Sequence, residues 1–157
     1  MPSNRLTAFA LTIVVAAVTT LSFAQDITIT TDPALAALSP EEMVAKRQAI
    51  MKEDGGILKG AGALSGAEAV TAADHLIANL SNLTVLFPEG SAVGDTGALP
   101  VIWEKNADFQ AILVTAVTAA TAMKTAATAG DATAYADAIK AVGATCGQCH
   151  QTFRQKS

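Results

Sequence analysis

Aromatic residues, basic residues, cysteine and histidine are all scarce in this chain. Phe, Trp and Tyr make up only 4% of the 157 residues, so aromatic side chains alone would fill a core poorly. Ten basic residues against 14 acidic ones give a formal net charge of −4, and no basic patch indicates a nucleic-acid partner. The chain also has no alternating β-branched runs of the kind that form a βαβ unit. Half of the chain is nevertheless hydrophobic, which is enough for one core.

The two cysteines lie together in the pentapeptide Cys146-Gly-Gln-Cys149-His150. Residues three and four apart share one face of a helix, so both sulfurs would reach the two vinyl groups of one porphyrin while His150 reaches its iron. This spacing is typical of covalent c-type haem attachment. A zinc site would need a second Cys/His pair, and only His75 remains. A dithiol would be expected beside a βαβ pattern, and a simple disulfide is the other alternative.

The N-terminal segment indicates export. Arg5 precedes a mostly apolar run over residues 6–18, and small residues at Ser22 and Ala24 form a cleavage site, so we expect a signal peptide over residues 1–24. The alternative, a membrane anchor, is disfavoured because the run is short and contains threonine. Haem attachment in bacteria takes place outside the cytoplasmic membrane, so a periplasmic location follows, with no stable membrane association after cleavage.

The mature chain begins with an irregular segment over residues 25–38 and continues with four predicted helices that form one domain over residues 39–157. The first helix starts at Ser39, which would form a capping box with Glu42, and runs to about Gly60. The second starts with the same signature at Ser65 and Glu68 and runs toward Phe87. After a glycine-containing loop, the third runs from about Pro100 to Gly130, and Asp131 would cap the fourth.

Each helix carries an apolar stripe, and the stripe of the fourth includes both cysteines. The stripes are Met43, Arg47, Ile50, Met51 and Leu58; Val70, Ala73, Ile77, Leu80 and Leu83; Ile102, Phe109, Leu113, Ala116, Ala120 and Met123; and Tyr135, Ile139, Val142, Cys146, Cys149 and Phe153. Four amphipathic helices with mostly short connections predict an all-α antiparallel four-helix bundle with one covalently attached c-type haem. The porphyrin would supply the bulk that the few aromatic residues do not.

These features together resemble the cytochrome c prime family, and within it most closely the low-spin members called cytochrome c-556. The resemblance covers about residues 41–154, and the position of the haem motif near the C-terminus distinguishes it from mitochondrial-type cytochromes. It is carried by the segments Lys46 to Lys52, Leu86-Phe87-Pro88, Ile102-Trp103, Cys146 to His150, and Phe153-Arg154.

The resemblance implies roles for two residues of the first helix. Arg47 interrupts an apolar row, and a haem propionate would bind its guanidinium through paired hydrogen bonds; the alternative is a side chain that reaches out to water. Met51 lies where the family presents a residue to the haem face opposite the histidine. Its thioether would be the sixth iron ligand, although a methionine that only fills the core is the commoner case.

Predictions for the remaining residues follow from the resemblance and from helix spacing. Arg154, one turn after His150, resembles a basic residue that the family keeps beside the proximal histidine, although a basic residue at a helix C-terminus also complements the helix dipole. Gly143 would let the porphyrin approach the backbone of the fourth helix; the alternative is a weak helical position that the fold tolerates. His75 lies off the apolar stripe and is expected to face solvent, while Trp103 and Phe109 are expected to pack in the core or at the haem edge.

The expected function is that of a periplasmic c-type cytochrome that carries single electrons through a haem with His150 and Met51 as axial ligands. The alternative is a high-spin protein in which His150 is the only protein ligand and the open sixth position binds nitric oxide or carbon monoxide. No catalytic residue and no enzyme activity are predicted, because no distal His/Arg pair can be identified. The expected partners are redox proteins, and a homodimer is compatible with the family.

Overall fold

The computed structural model describes residues 27–156, so the predicted signal peptide and its cleavage site lie outside the described residues. Within that part of the chain the structure is helical, with no strand other than one isolated antiparallel bridge between Ala98 and Arg154. The α-helices are α1 (Pro40–Ala61), α2 (Gly66–Leu83), the four-residue α3 (Val101–Glu104), α4 (Asn106–Ala129) and α5 (Ala132–Phe153).

The segment before α1 is irregular except for a 3-10 turn over Pro33–Ala37. The Asp32 side chain caps this turn by accepting a hydrogen bond from the Ala34 N–H, and the Asp32 N–H donates to Asn82 Oδ1 of α2 at 2.8 Å. Leu35 is buried in the core. The lead-in is therefore fastened to the bundle although it forms no strand.

The start of α1 follows the sequence prediction. Ser39 Oγ accepts a hydrogen bond from the Glu42 N–H at 3.2 Å, and Glu42 Oε2 accepts one from the Ser39 N–H at 2.7 Å. Pro40 occupies the first turn, where its missing N–H is no loss. A cap of this kind stabilises a helix by about 1 kcal/mol, and it sets where α1 begins.

The identical signature at Ser65 does not form a capping box, which corrects the prediction for α2. The Ser65 side chain makes no capping hydrogen bond. The following residue, Gly66, has a φ of +54°, so the backbone enters the helix on a path that takes the hydroxyl away from the free N–H groups. At its other end α2 stops at Leu83 rather than near Phe87. Turn hydrogen bonds from the N–H groups of Val85 and Leu86 follow it.

The predicted third helix is divided into α3 and α4. Lys105 separates them with φ −118° and ψ 45°, outside the helical region. The break lets Ile102 enter the core, 2% exposed, while Trp103 Nε1 donates to the carbonyls of Phe87 and Pro88 at 3.1 and 2.9 Å. Tertiary contacts with the preceding loop thus override a continuous helical pattern.

The boundary between α4 and α5 follows the prediction. Gly130 ends α4 in the left-handed conformation, with φ 68°, which glycine adopts without steric cost. Asp131 Oδ1 accepts from the Ala134 N–H at 2.9 Å and caps α5.

The long helices form the predicted antiparallel four-helix bundle, in which α4 packs against both α2 and α5 and α1 packs against α2. All six predicted stripe positions of α3 and α4 are buried, at 3% exposure or less. By length and composition α4 is apolar enough to cross a membrane, but here it is a core helix of the bundle. Three phenylalanines pack edge to face at one end, with ring centroids of Phe87 and Phe109 4.9 Å apart and of Phe109 and Phe153 5.2 Å apart.

Candidate functional site

A cleft of about 270 Å³ opens beside these phenylalanines, between α1 and the C-terminal end of α5. Five of the six predicted haem-binding residues line it, all except Cys146, and several of the other lining residues are apolar. The lining residues are Arg47, Gln48, Met51, Phe87, Thr96, Gly97, Ala98, Ile102, Phe109, Cys149, His150, Phe153 and Arg154.

The cysteines and the histidine of the pentapeptide lie on the last turns of α5. Cys149 is 8% exposed, Cys146 is half-buried, and neither is in a disulfide. Burial, reinforced by Cys146, raises the pKa of Cys149 to about 11, and burial followed by the charge of Asp54 raises the pKa of Cys146. Both thiols therefore stay protonated, unlike the thiolates of redox and zinc sites. Among residues 27–156 no three His, Cys, Asp or Glu side chains gather as a metal cluster.

The surroundings of His150 favour its neutral imidazole form. It is half-buried, and burial together with the nearby charge of Arg154 lowers its pKa. Neutral imidazole has a lone pair to donate, whereas imidazolium does not. The α5 surface is also bare at Gly143 and Gly147, where an added Cβ would meet no atom within 4 Å. Two thiols, a neutral imidazole and an open helix face fit the requirements of a covalently bound porphyrin.

Arg47 is buried rather than extended to water, with an exposed fraction of 3%. Its Nη1 donates to the Leu86 carbonyl and to Ser91 Oγ, both at 3.1 Å. Its Nη2 donates to the Ser91 carbonyl at 2.9 Å and to Thr96 Oγ1 at 3.0 Å. The guanidinium carbon also lies 4.5 Å from the ring centroid of Phe87. Burial lowers the pKa of Arg47 because it disfavours the charged guanidinium. The four hydrogen bonds and the contact with the Phe87 ring offset this cost.

The acceptors of Arg47 belong to the loop over residues 84–100, which forms a wall of the cleft. The C-terminal part of this loop is fastened to the end of α5 and to the residues that follow it, because the Leu99 N–H donates to the Phe153 carbonyl at 3.1 Å and the Gln155 N–H donates to the Gly97 carbonyl at 2.8 Å. The loop thus connects α1 to the end of α5. Its residues are far from Arg47 in sequence, so helical periodicity could not have revealed these contacts.

Met51 and Arg154 line the cleft from different elements. Met51 is half-buried on α1, one turn after Arg47. Arg154 follows the last helical residue, Phe153, in an extended conformation, and is exposed. It is therefore not within the last turn of α5, but it remains close enough to His150 to lower that residue's pKa.

The sequence analysis missed Asp54, a carboxylate that is 5% exposed on the inner face of α1. Its Oδ1 accepts from Asn79 Nδ2 at 2.8 Å, while Oδ2 has no hydrogen-bond partner. Burial raises its pKa to about 6, against the effect of the Asn79 hydrogen bond. Its spacing of four from Ile50 and seven from Arg47 would have placed it on the buried stripe.

His75 lies outside the site, as expected. Its side chain is 55% exposed, and Nδ1 lies 3.5 Å from Glu53 Oε1 on the surface formed by α1 and α2. Phe109, 1% exposed, is both a core residue and part of the cleft wall. Trp103 is half-buried, packs against the core and also donates hydrogen bonds to the loop.

Comparison with known proteins agrees with this reading of the fold and cleft. The family model for cytochrome c' matches residues 42–154. Cytochrome c' of Pararhodospirillum photometricum is 38% identical over 74% of this chain and 99% of its own length. Cytochrome c-556 of Agrobacterium tumefaciens strain B2A is 36% identical over 72% and 97%. The crystal structure of cytochrome c' from Thermochromatium tepidum superposes with a TM-score of 0.70, at 30% identity over 76% of this chain and 98% of that one.

Fold and cleft define a helical-bundle haem protein. The chain belongs to the cytochrome c' family, and its cofactor is a single covalently attached c-type haem. The relatives include proteins named cytochrome c' and proteins named cytochrome c-556. Membership therefore defines an electron-carrying or ligand-binding haem protein.

Proposed function

We propose that this chain is a periplasmic carrier of single electrons, in which Cys146 and Cys149 form the thioether bonds and His150 and Met51 are the axial ligands. The supporting observation is that Met51 and His150 line one cleft from two different helices, α1 and α5. A thioether and an imidazole on opposite haem faces give a low-spin iron with a raised reduction potential.

The bound haem supplies one-electron chemistry by exchange between ferric and ferrous iron. The protein's contribution is to orient the ligands and keep water away. The phenylalanine cluster of Phe87, Phe109 and Phe153 and the buried Ile102 provide an apolar boundary to the cleft. Arg154 keeps a positive charge beside the proximal imidazole. Neither contribution involves breaking a substrate bond, and we assign no catalytic residue.

We propose that Arg47 contacts a haem propionate through one hydrogen bond, whereas the sequence predicted two. Each Nη nitrogen donates to two acceptors in the loop, which accounts for all four terminal hydrogens. The Nε–H is the donor left for a propionate, so we propose one hydrogen bond from Nε rather than a bidentate fork. The primary contacts of Arg47 are then structural.

Gas binding at an open sixth position is the second candidate. In support, one solved family member is a nitric oxide complex of a variant of the Alcaligenes xylosoxidans protein, superposing at TM-score 0.66 and 26% identity. In that case Met51 would pack over the iron as a steric barrier, and the same cleft lining would admit a small apolar gas.

Assembly and location are part of the proposal. One cytochrome c' structure that superposes with a TM-score of 0.70 is described as showing ligand-controlled dimer dissociation, and we propose that this chain also forms homodimers. The acidic balance of the chain favours redox partners with a basic docking surface. Export would use the segment over residues 1–24.

The test is the optical spectrum of the purified ferric and ferrous haem protein, before and after carbon monoxide is added. Methionine ligation predicts a low-spin spectrum, a methionine-to-iron charge-transfer band in the ferric protein, and no response of the ferrous protein to the gas. A high-spin spectrum that shifts with carbon monoxide would instead establish the gas-binding alternative.

A further inference from the structure

Asp54 is a buried carboxylate that the electron-carrier function does not use. One of its oxygens, Oδ1, accepts a hydrogen bond from Asn79 of α2, and the other, Oδ2, is buried without a partner. A buried acceptor without a donor is costly, and it is more costly when it carries a negative charge. A protonated carboxyl group avoids the cost of the charge, so this site favours binding of a proton.

The position of Asp54 couples it to the haem without making it a ligand. Asp54 does not line the cleft and instead contacts α2, but its charge acts on Cys146 of α5 and raises that thiol's pKa. Here the argument rests on the proposed function, since Cys146 is one of the proposed haem attachment points. A charge that acts at Cys146 across a buried bundle also acts on the charge of the haem.

Among residues 27–156, the groups that interact with Asp54 are Glu53, Asn79 and Cys146. On its own helix Glu53 opposes its ionisation, and His75 of α2 pairs with Glu53 at 3.5 Å on the exposed surface. From α2 the neutral amide of Asn79 favours the ionised form. From α5 the facing group is Cys146, which no longer titrates once it is a thioether. After haem attachment, the charge that changes during function is that of the haem.

We propose that Asp54 is a redox-linked proton-binding site. When the ferric haem accepts one electron from a one-electron donor, the Asp54 carboxylate takes up one proton from solvent and becomes a neutral carboxyl group. Oxidation returns the electron to an acceptor and the proton to solvent. One electron and one proton thus move in the same direction, and no covalent bond other than the O–H bond forms or breaks.

The direction of the pH effect follows from linkage. Ferric haem carries one more positive charge than ferrous haem, so it favours the carboxylate and gives Asp54 the lower pKa of the two states. Between the two pKa values reduction is accompanied by proton uptake, and the reduction potential falls as pH rises. Outside this interval the potential is flat. Burial places the interval near the value of about 6.

The experiment is spectroelectrochemical titration of the haem protein across this pH range, for the wild type and three variants. Asp54→Asn keeps the size of the side chain and an oxygen for Asn79, and it should abolish both bends. Asn79→Ala removes the hydrogen bond that favours the carboxylate, so it should keep both bends and move them to higher pH. Asp74→Asn, an exposed α2 carboxylate paired with Lys124 at 2.7 Å, should leave the curve unchanged.

A second readout identifies the group directly. Redox-difference infrared spectra at a pH within the interval should show a protonated-carboxyl band in the reduced protein that disappears in Asp54→Asn. A flat wild-type potential would overturn the proposal, as would bends that persist in Asp54→Asn, because a haem propionate would then be the titrating group. Both readouts work for either axial ligation, so a high-spin spectrum would refute the electron-carrier assignment and leave this test intact.

Discussion

Arg47 on α1 binds Ser91 twice, through Nη1 to the hydroxyl oxygen at 3.1 Å and through Nη2 to the carbonyl oxygen at 2.9 Å. Ser91 is itself only 1% exposed. The two residues are the centre of a buried polar contact that fastens the loop over residues 84–100 to the helix carrying Met51. A charge that makes four hydrogen bonds in a buried position is a structural requirement of the cleft wall.

Arg47→Ala is therefore expected to destabilise the haem protein by about 3 kcal/mol, because it removes a charged donor and leaves buried carbonyls without partners. Ser91→Ala removes only the hydroxyl and should cost about 1 kcal/mol. Urea unfolding at neutral pH measures both. The matched control is Gln48→Ala, which removes an exposed contact from the same helix to the same loop, the 2.8 Å bond from Nε2 to the Asp95 carbonyl. If Arg47→Ala lowers the free energy of unfolding no more than Gln48→Ala does, Arg47 does not fasten the loop to α1 as described.

Met51→Ala should convert a low-spin spectrum to a high-spin one and allow the ferrous protein to bind carbon monoxide, because the variant lacks the proposed sixth ligand. Met43→Ala is the control, since Met43 lies on the same helix, is 9% exposed and does not line the cleft. That variant should lose about 2 to 5 kcal/mol of stability and keep its low-spin spectrum. An unchanged spectrum in Met51→Ala would remove the assignment of Met51 as a ligand.

The thioether assignment predicts how the haem is retained under denaturing conditions. Mass spectrometry of the unfolded wild type should show the chain with one haem added. Cys146→Ala and Cys149→Ala should each keep the haem through the other sulfur, whereas the double variant should lose it. A double variant that keeps covalent haem would show that the attachment lies elsewhere.

Much of the fold was predictable because it depends on local chemistry. The Ser39 cap, the Asp131 cap and the buried stripe of α4 follow from residue types at fixed spacing. The α5 stripe follows in part, because Ile139 and Cys146 are only half-buried. The same rule failed at Ser65, since the left-handed backbone at Gly66 redirects the chain and this conformation is not encoded in the capping motif itself.

The candidate site was predictable in its residue types but not in its contacts. The pentapeptide indicated the haem and the apolar row indicated that Arg47 turns inward, yet its partners are separated from it by 39 to 49 residues. Periodicity reports which face of a helix is buried, and it does not report what a distant loop places there. Asp54 was missed for a different reason, because a carboxylate in a run with Lys52 and Glu53 is typical of a solvated face.

Arg154→Gln should lower the reduction potential. The positive charge of Arg154 lies near enough to His150 to lower its pKa, and a positive charge there also disfavours the additional charge of ferric iron. Because Arg154 is exposed, the difference from the wild type should shrink as ionic strength rises. Arg154→Lys keeps the charge and should restore the potential. If the reduction potential falls equally in both variants and does not depend on salt, the cause would instead be structural, through the β-bridge between Arg154 and Ala98.

Asp54→Asn should stabilise the ferric protein at pH 8 and leave it nearly unchanged at pH 4. The folded chain raises the pKa of Asp54 to about 6, whereas an unfolded aspartate titrates near 3.9. Below about pH 4 the carboxyl group is protonated in both states and imposes no penalty. As pH rises through 6 the folded wild type must hold a buried charge, and its free energy of unfolding falls by about 2 to 3 kcal/mol. The free energy of unfolding of Asp54→Asn does not fall in this way, because an amide does not ionise. The difference between urea unfolding curves of the two proteins at the two pH values measures this effect.

Asp74→Asn, which neutralises an exposed carboxylate, should show no such pH-dependent gain. Equal stability of the wild type and Asp54→Asn at pH 8 would mean that burial does not disfavour the charge of Asp54.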